Sequence, residues 1–65
     1  MTEYQERVIE EKADLDARRG RLLQFISSSP QFRCLGIVEQ QRLIRQNKIM
    51  ILYSDVLGER IEAFK

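Results

Sequence analysis

Histidine and tryptophan are absent from this 65-residue sequence, cysteine and proline occur once each, and glycine occurs three times. One cysteine, Cys34, rules out an internal disulfide, and without histidine a structural zinc site of the usual Cys/His kind cannot be assembled. Catalysis has little to work with. No phosphate-binding glycine loop is present, no nucleophile is spaced with a base, and Glu10 with Asp14 are most simply solvated helix residues. The residues therefore predict a protein that is not an enzyme, with no catalytic residue, no metal site and no cofactor. No apolar run approaches the ~18 residues of a membrane span. The opening MTEYQERVIEEK is charged rather than apolar, so neither a secretory signal nor a membrane segment is read here, and the cytoplasm is the expected compartment.

What is present is charge and helical periodicity. A chain of this length buries only about 60% of the surface its unfolded form exposes, so a lone monomer is marginal, and with disulfide and metal excluded, oligomerisation is the remaining device. Formal charge is +1, unevenly spread. Residues 1 to 16 hold six acids against Arg7 and Lys12, residues 17 to 48 hold seven cations against Glu39 alone, and residues 49 to 65 sum to −1. A basic middle between acidic ends suggests a local anion site rather than a coat for duplex nucleic acid, which is not expected as a partner.

Thr2 and Gln5 have capping-box spacing, and Val8, Leu15 and Leu22 follow at seven-residue intervals with Tyr4, Phe25 and Ile26 on the same stripe. This predicts a helix to about Ile26, broken by SSSP at 27 to 30. Ser29 and Pro30 can cap and open a short helical turn, PQFRCL, that Gly36 ends, with Phe32 and Leu35 plugging the hairpin end. From about Ile37 a second long helix follows, carrying Leu43, Met50, Leu57 and Phe64 at seven-residue spacing, with Tyr53 and Ile61 beside them. IMILY at 49 to 53 could form a strand, but no turn signal brackets it and helix is preferred.

The expected fold is thus all-α: residues 1–65 form one antiparallel hairpin of two long helices joined by a short helical turn. A hairpin hides one stripe of each helix. Ile49 to Tyr53 go most of the way round theirs, and Ile44 and Val56 extend a second apolar face, so a homo-oligomer built largely through the second helix is predicted.

The stretch ARRGRLLQF at 17 to 25 sets three arginines around Gly20, a glycine that costs a helix interior roughly 1 kcal/mol against alanine. Asp14 with Arg18 and Asp16 with Arg19 are spaced for helix-surface ion pairs, which is the simpler account of the arginines. The other is a phosphate grip: folding the hairpin about residues 30 to 33 brings Arg18, Arg19 and Arg21 level with Arg42, Arg45 and Lys48. Tyr4 reads as hairpin packing or as a plate on which a purine stacks. Tyr53 reads as core, and Cys34 as a small buried apolar residue.

Taken whole, YQERVIEEKADLDARRGRLLQFI followed by EQQRLIRQNKIMILYSDVLGERI resembles the helical-hairpin sponges that bacteriophages use against bacterial cyclic-oligonucleotide immunity. These are the anti-CBASS proteins, whose hairpin is shared with some anti-Thoeris sponges. The likeness runs from Tyr4 to Phe64 and rests on Gln5, Arg7 and Val8, on Leu15, Leu22, Phe25 and Ile26, then on Glu39, Leu43, Gln46, Met50, Tyr53, Leu57, Arg60 and Ile61. The resemblance implies a hexamer built as a trimer of dimers. It further implies cyclic dinucleotides bound between two protomers, cyclic trinucleotides at a separate site in some members, release of the signal unaltered, and action in the host bacterial cytoplasm. By position, Tyr4 resembles the aromatic that stacks on a base, with Gln5 a polar contact beside it. Arg19 stands where the family places a phosphate-contacting lysine, and Arg60 resembles a further ligand-contacting arginine. Arg7 fits either a ligand contact or an interface. Two other readings stay open on the residues: a helical module that blocks a host protein, and a small nucleic-acid-binding regulator.

Overall fold

Thr2 opens the first helix by the expected reciprocal cap. Its Oγ1 accepts from the Gln5 backbone N–H at 3.2 Å, and the Gln5 side-chain oxygen accepts from the Thr2 backbone N–H at 3.1 Å, so two donors that a helix start leaves orphaned are satisfied. The computed structural model describes residues 1–64 and contains three helices: α1 over Glu3–Ser28, α2 over Pro30–Cys34 and α3 over Ile37–Glu62. No strand occurs among the described residues, and 49 to 53 lie inside α3.

The connection follows the local chemistry. Ser29 adopts extended backbone, ends α1 through its N–H to the Phe25 carbonyl, and caps α2 by accepting from the Gln31 N–H. Pro30 then takes the first position of α2, where its missing N–H is no loss. Leu35 and Gly36 are again extended, and Gly36 is the N-cap of α3. Gln40, in the first turns of α3, donates its amide to the carbonyls of Leu35 at 2.8 Å and Arg33 at 3.4 Å, tying the connection to the helix that follows.

The two long helices run antiparallel: Tyr4 meets Phe64 and Arg60, Lys12 meets Ser54, and residues 20 and 23 share a cleft with residue 47. The hairpin is a rod of 46 × 15 × 14 Å. Its core is thin. Val8, Leu15 and Leu57 form the buried cluster, with Met50, Ile61 and Phe64 packed on it, and Leu57 is fully enclosed. At the loop end Phe32 is buried and meets Phe25 edge-on, ring centroids 6.0 Å apart, while Leu35 is only half-buried. Two expectations are corrected. Tyr53 is 43% exposed, because at 100° per residue it lies on a flank of the Met50–Leu57 stripe rather than in it. Cys34 is exposed, because α2 turns Phe32 inward instead.

A bridge of three polar side chains crosses the hairpin. Lys12 Nζ donates to Asp16 Oδ2 at 2.8 Å and to Ser54 Oγ at 3.0 Å, and the Ser54 hydroxyl donates to Asp16 Oδ1 at 2.6 Å. Ser54 is buried, so its satisfied hydroxyl avoids the penalty of an orphaned polar group. The Lys12 stem passes close to Gly58: a Cβ there would stand 3.4 Å from the Lys12 Cε, an ordinary van der Waals contact. The Lys12 contact, then the Ser54 hydroxyl, hold the Asp16 carboxyl below its usual value. Burial opposes them, and the charges of Lys12 and Arg19 add to the lowering.

Two outcomes are expected. Leu57→Ala removes the most enclosed side chain and costs about 2–5 kcal/mol, against a total of roughly 3–10 kcal/mol for a chain of this length at ~0.05–0.15 kcal/mol per residue. Urea titration followed by circular dichroism reads the loss. A carboxyl whose folded pKa is depressed stabilises the fold above its unfolded pKa, and the contribution is lost as pH falls through the folded value. The melting-temperature gap between the wild type and Ser54→Ala is therefore widest near neutral pH and closes on acidification below the ordinary aspartate range.

Candidate functional site

Tyr4 stands in the first turn of α1, and Arg60 and Phe64 stand at the far end of the chain, so only the antiparallel register brings them together. Arg60 Nη2 donates to the Tyr4 hydroxyl at 2.5 Å, and its guanidinium carbon lies 5.7 Å from the ring centroid. Phe64 meets the same ring edge-on at 6.3 Å and 62°. Tyr4 nonetheless stays exposed. The result is an accessible aromatic plate, held by a second ring, with a guanidinium fixed at its rim. Such a plate can stack a base for ~1–3 kcal/mol, and a guanidinium suits phosphate. Sequence reasoning placed Phe64 in the core stripe alone, and its seven-residue spacing gave no sign that it also buttresses Tyr4.

Gln5 adjoins Tyr4, but its side-chain oxygen is committed to the helix cap, leaving the amide N–H groups to donate. Arg19 is elsewhere. Fifteen residues along α1 at ~1.5 Å each separate it from Tyr4 by about 22 Å, so the structure brings Tyr4, Gln5 and Arg60 together and leaves Arg19 apart. Its Nε lies 3.7 Å from Asp16 Oδ1, an ion-pair distance too long for a hydrogen bond. That nitrogen is buried without a hydrogen-bond partner, as is Oδ1 of Asn47. Both residues line one cleft with Gly20, Leu23 and Ile51.

The arginines of 17 to 25 do not form a single grip. Arg18 lines a groove with Arg7, Glu11, Asp14 and Tyr53, Arg19 lines the cleft beside Asn47, and Arg21 lines a hollow with Phe25 and Ser29 near the connection. Arg42 and Arg45 face a fourth depression with Ile49 and Met50. Successive helical residues point 100° apart, so closeness in sequence scatters the three cations around α1. The Asp16–Arg19 pair forms, whereas Asp14 and Arg18 share a groove without closing an ion pair. Arg7 reaches Glu3 at 3.5 Å, both side chains well exposed, a pair worth little in water.

Among the described residues, no group of three or more carboxylates and thiols could hold a metal ion, and no helix is long and apolar enough to cross a membrane. No curated protein and no solved structure matches the chain. A family model does: the one named Sequestin matches residues 2–63, from the Thr2 cap to the end of α3, and so spans both the Tyr4–Arg60 cluster and the Arg19 cleft. This agrees with the resemblance to sponges read from the sequence, and the chain belongs to the Sequestin family.

Proposed function

We propose that this protein sequesters host cyclic oligonucleotide signals for a phage, holding cyclic dinucleotides, with cyclic trinucleotides as a second ligand class, and releasing them unaltered. The observation that carries the reading is the Tyr4–Arg60 pair, an exposed ring with a guanidinium at its rim, in a chain whose family name speaks of sequestration. Tyr4 stacks on a base, Arg60 and Gln5 contact the ligand beside it, and Arg19 contacts phosphate. The distance between Tyr4 and Arg19 exceeds the width of one cyclic dinucleotide, so Arg19 serves that ligand from a second copy of the chain. This favours a homo-oligomer with pockets between protomers, and the hexamer of the sponges has that character.

The mechanism is mass action. A host enzyme in the bacterial cytoplasm makes the signal, and a binder present in excess of it, with a dissociation constant below the effector's threshold, keeps the free concentration too low to act. No bond is made or broken, which fits a chain without a general base or a nucleophile placed with one.

Calorimetry against a panel of cyclic di- and trinucleotides tests this. Stoichiometric heat is expected with at least one member, and chromatography after heat release should return the ligand intact. Tyr4→Ala should weaken dinucleotide binding by about 5- to 150-fold, the equivalent of losing ~1–3 kcal/mol of stacking, and Arg19→Ala should weaken it while the assembly persists. No heat with any member of the panel sinks the proposal.

The exposed apolar side of α3 favours a second reading, a helical module that binds and blocks a host protein. Purification from host lysate separates the two, since a stoichiometric protein partner supports the module and nucleotide absorbance supports the sponge.

A further inference from the structure

Asp16 is held from both long helices. Lys12, four residues before it on α1, donates to Oδ2 at 2.8 Å, and the buried Ser54 of α3 donates to Oδ1 at 2.6 Å. Both carboxylate oxygens therefore have fixed partners, and a side chain tied in this way has already given up the freedom whose loss makes surface ion pairs weak. Arg19 follows three residues later on the same helix, with Nε 3.7 Å from the anchored Oδ1. The spacing is that of an ordinary helix-surface pair, but here the acceptor is pinned by the opposite helix.

The rest of the Arg19 guanidinium is unengaged. Its Nε is buried, whereas the side chain as a whole is 35% exposed, so the accessible part lies away from Nε. Among the described residues no hydrogen bond holds this guanidinium, and Asp16 is its ion-pair partner. Asn47 Oδ1, a second acceptor, is buried in the same cleft and also lacks a hydrogen-bond partner. Asp16 and Asn47 thus both draw Nε inward. An arginine carries five N–H donors in one rigid plane. With Nε turned into the cleft, the two Nη groups supply the other four, and these can form the paired bonds that phosphate accepts. Neighbouring cations lack such an anchor: Arg42 meets Glu39 where both side chains are well exposed, and Arg18 shares a groove with Asp14 without closing an ion pair.

We infer that Asp16 is a positioning residue for Arg19: anchored by Lys12 and Ser54, it draws Nε into the cleft and leaves both Nη groups to a phosphate of the cyclic dinucleotide. The inference rests on the proposed function, which gives Arg19 the phosphate, and adds what orients it. Ser54 acts at one further remove, through Asp16. Charge and orientation pull in opposite directions here. An aspartate beside a phosphate site repels the ligand, so by charge alone its removal tightens binding. If it orients Arg19, its removal weakens binding.

A double-mutant cycle reads that sign. Calorimetry with each cyclic dinucleotide of the panel that the wild type binds is repeated on Asp16→Asn, on Arg19→Ala and on the two combined, with melting temperatures taken on the same samples. Asparagine keeps the size of aspartate and an oxygen to accept from the Ser54 hydroxyl. Asp16→Asn is expected to weaken binding about tenfold where Arg19 is present and less than about twofold in the Arg19→Ala background, because the two residues act through one contact. Ser54→Ala, which removes neither charge, should weaken binding with the same dependence on Arg19, and it carries the test if Asp16→Asn does not fold. Tighter binding by Asp16→Asn, or an equal loss with and without Arg19, overturns the positioning role and leaves sequestration standing. No heat from the wild type with any panel member overturns sequestration and, with it, the use of Arg19. A ligand-free reading stands beside these: the Arg19 Nε–H proton, followed by NMR, should exchange with water about tenfold more slowly in the wild type than in Asp16→Asn. Equal exchange overturns the anchoring whatever the ligand.

Discussion

Two helices lying side by side can each hide one stripe, and the rest of this molecule follows from how little that stripe holds. Val8 and Leu15 of the first long helix close on Leu57 of the second, with Met50, Ile61 and Phe64 around them and Phe32 sealing the loop end. Every other large apolar side chain is half-buried or exposed. In such a thin core each contact fixes register as well as contributing energy. The Lys12–Asp16–Ser54 bridge is an example, because its short distances hold only when the helices are aligned as they are. Burial of Ser54 makes the bridge matter more than an exposed ion pair such as Arg7–Glu3.

That register builds the Tyr4 cluster. Tyr4 and Arg60 are 56 positions apart in the chain and in direct hydrogen-bond contact, and Phe64 supports the ring from the same end. Arg19 belongs to a different neighbourhood, one of buried orphan atoms beside a bare glycine. The two regions differ in chemistry. The first is accessible and aromatic, and the second is a narrow cleft in which two polar atoms are buried without hydrogen-bond partners.

Much of the architecture was legible in the residues. Thr2 and Gln5 announce the first helix start, SSSP its end, Ser29 and Pro30 the short helix, and the seven-residue spacing of Val8, Leu15, Met50 and Leu57 the packed stripe. Tyr53 and Cys34 were misread because periodicity shows which residues are apolar and roughly where they point, but not how wide the buried strip is. Phe64 was placed in the core stripe, yet its contact with Tyr4 was invisible, since nothing in the spacing says which residue of one helix sits opposite which residue of the other.

The arginines around Gly20 show the same division. Local sequence determined that they lie on a helix, because caps, propensity and period act over a few residues and need no distant partner. Only the tertiary structure decided that Arg18, Arg19 and Arg21 look into separate grooves, that Arg19 Nε and Asn47 Oδ1 end up buried without a hydrogen-bond partner, and that Arg60 rather than any of the three reaches Tyr4. The reason is geometric. A helix rotates each successive side chain by 100°, so what gathers at a site is set by which residues the opposite helix brings alongside, and that alignment exists only once the chain has folded back on itself.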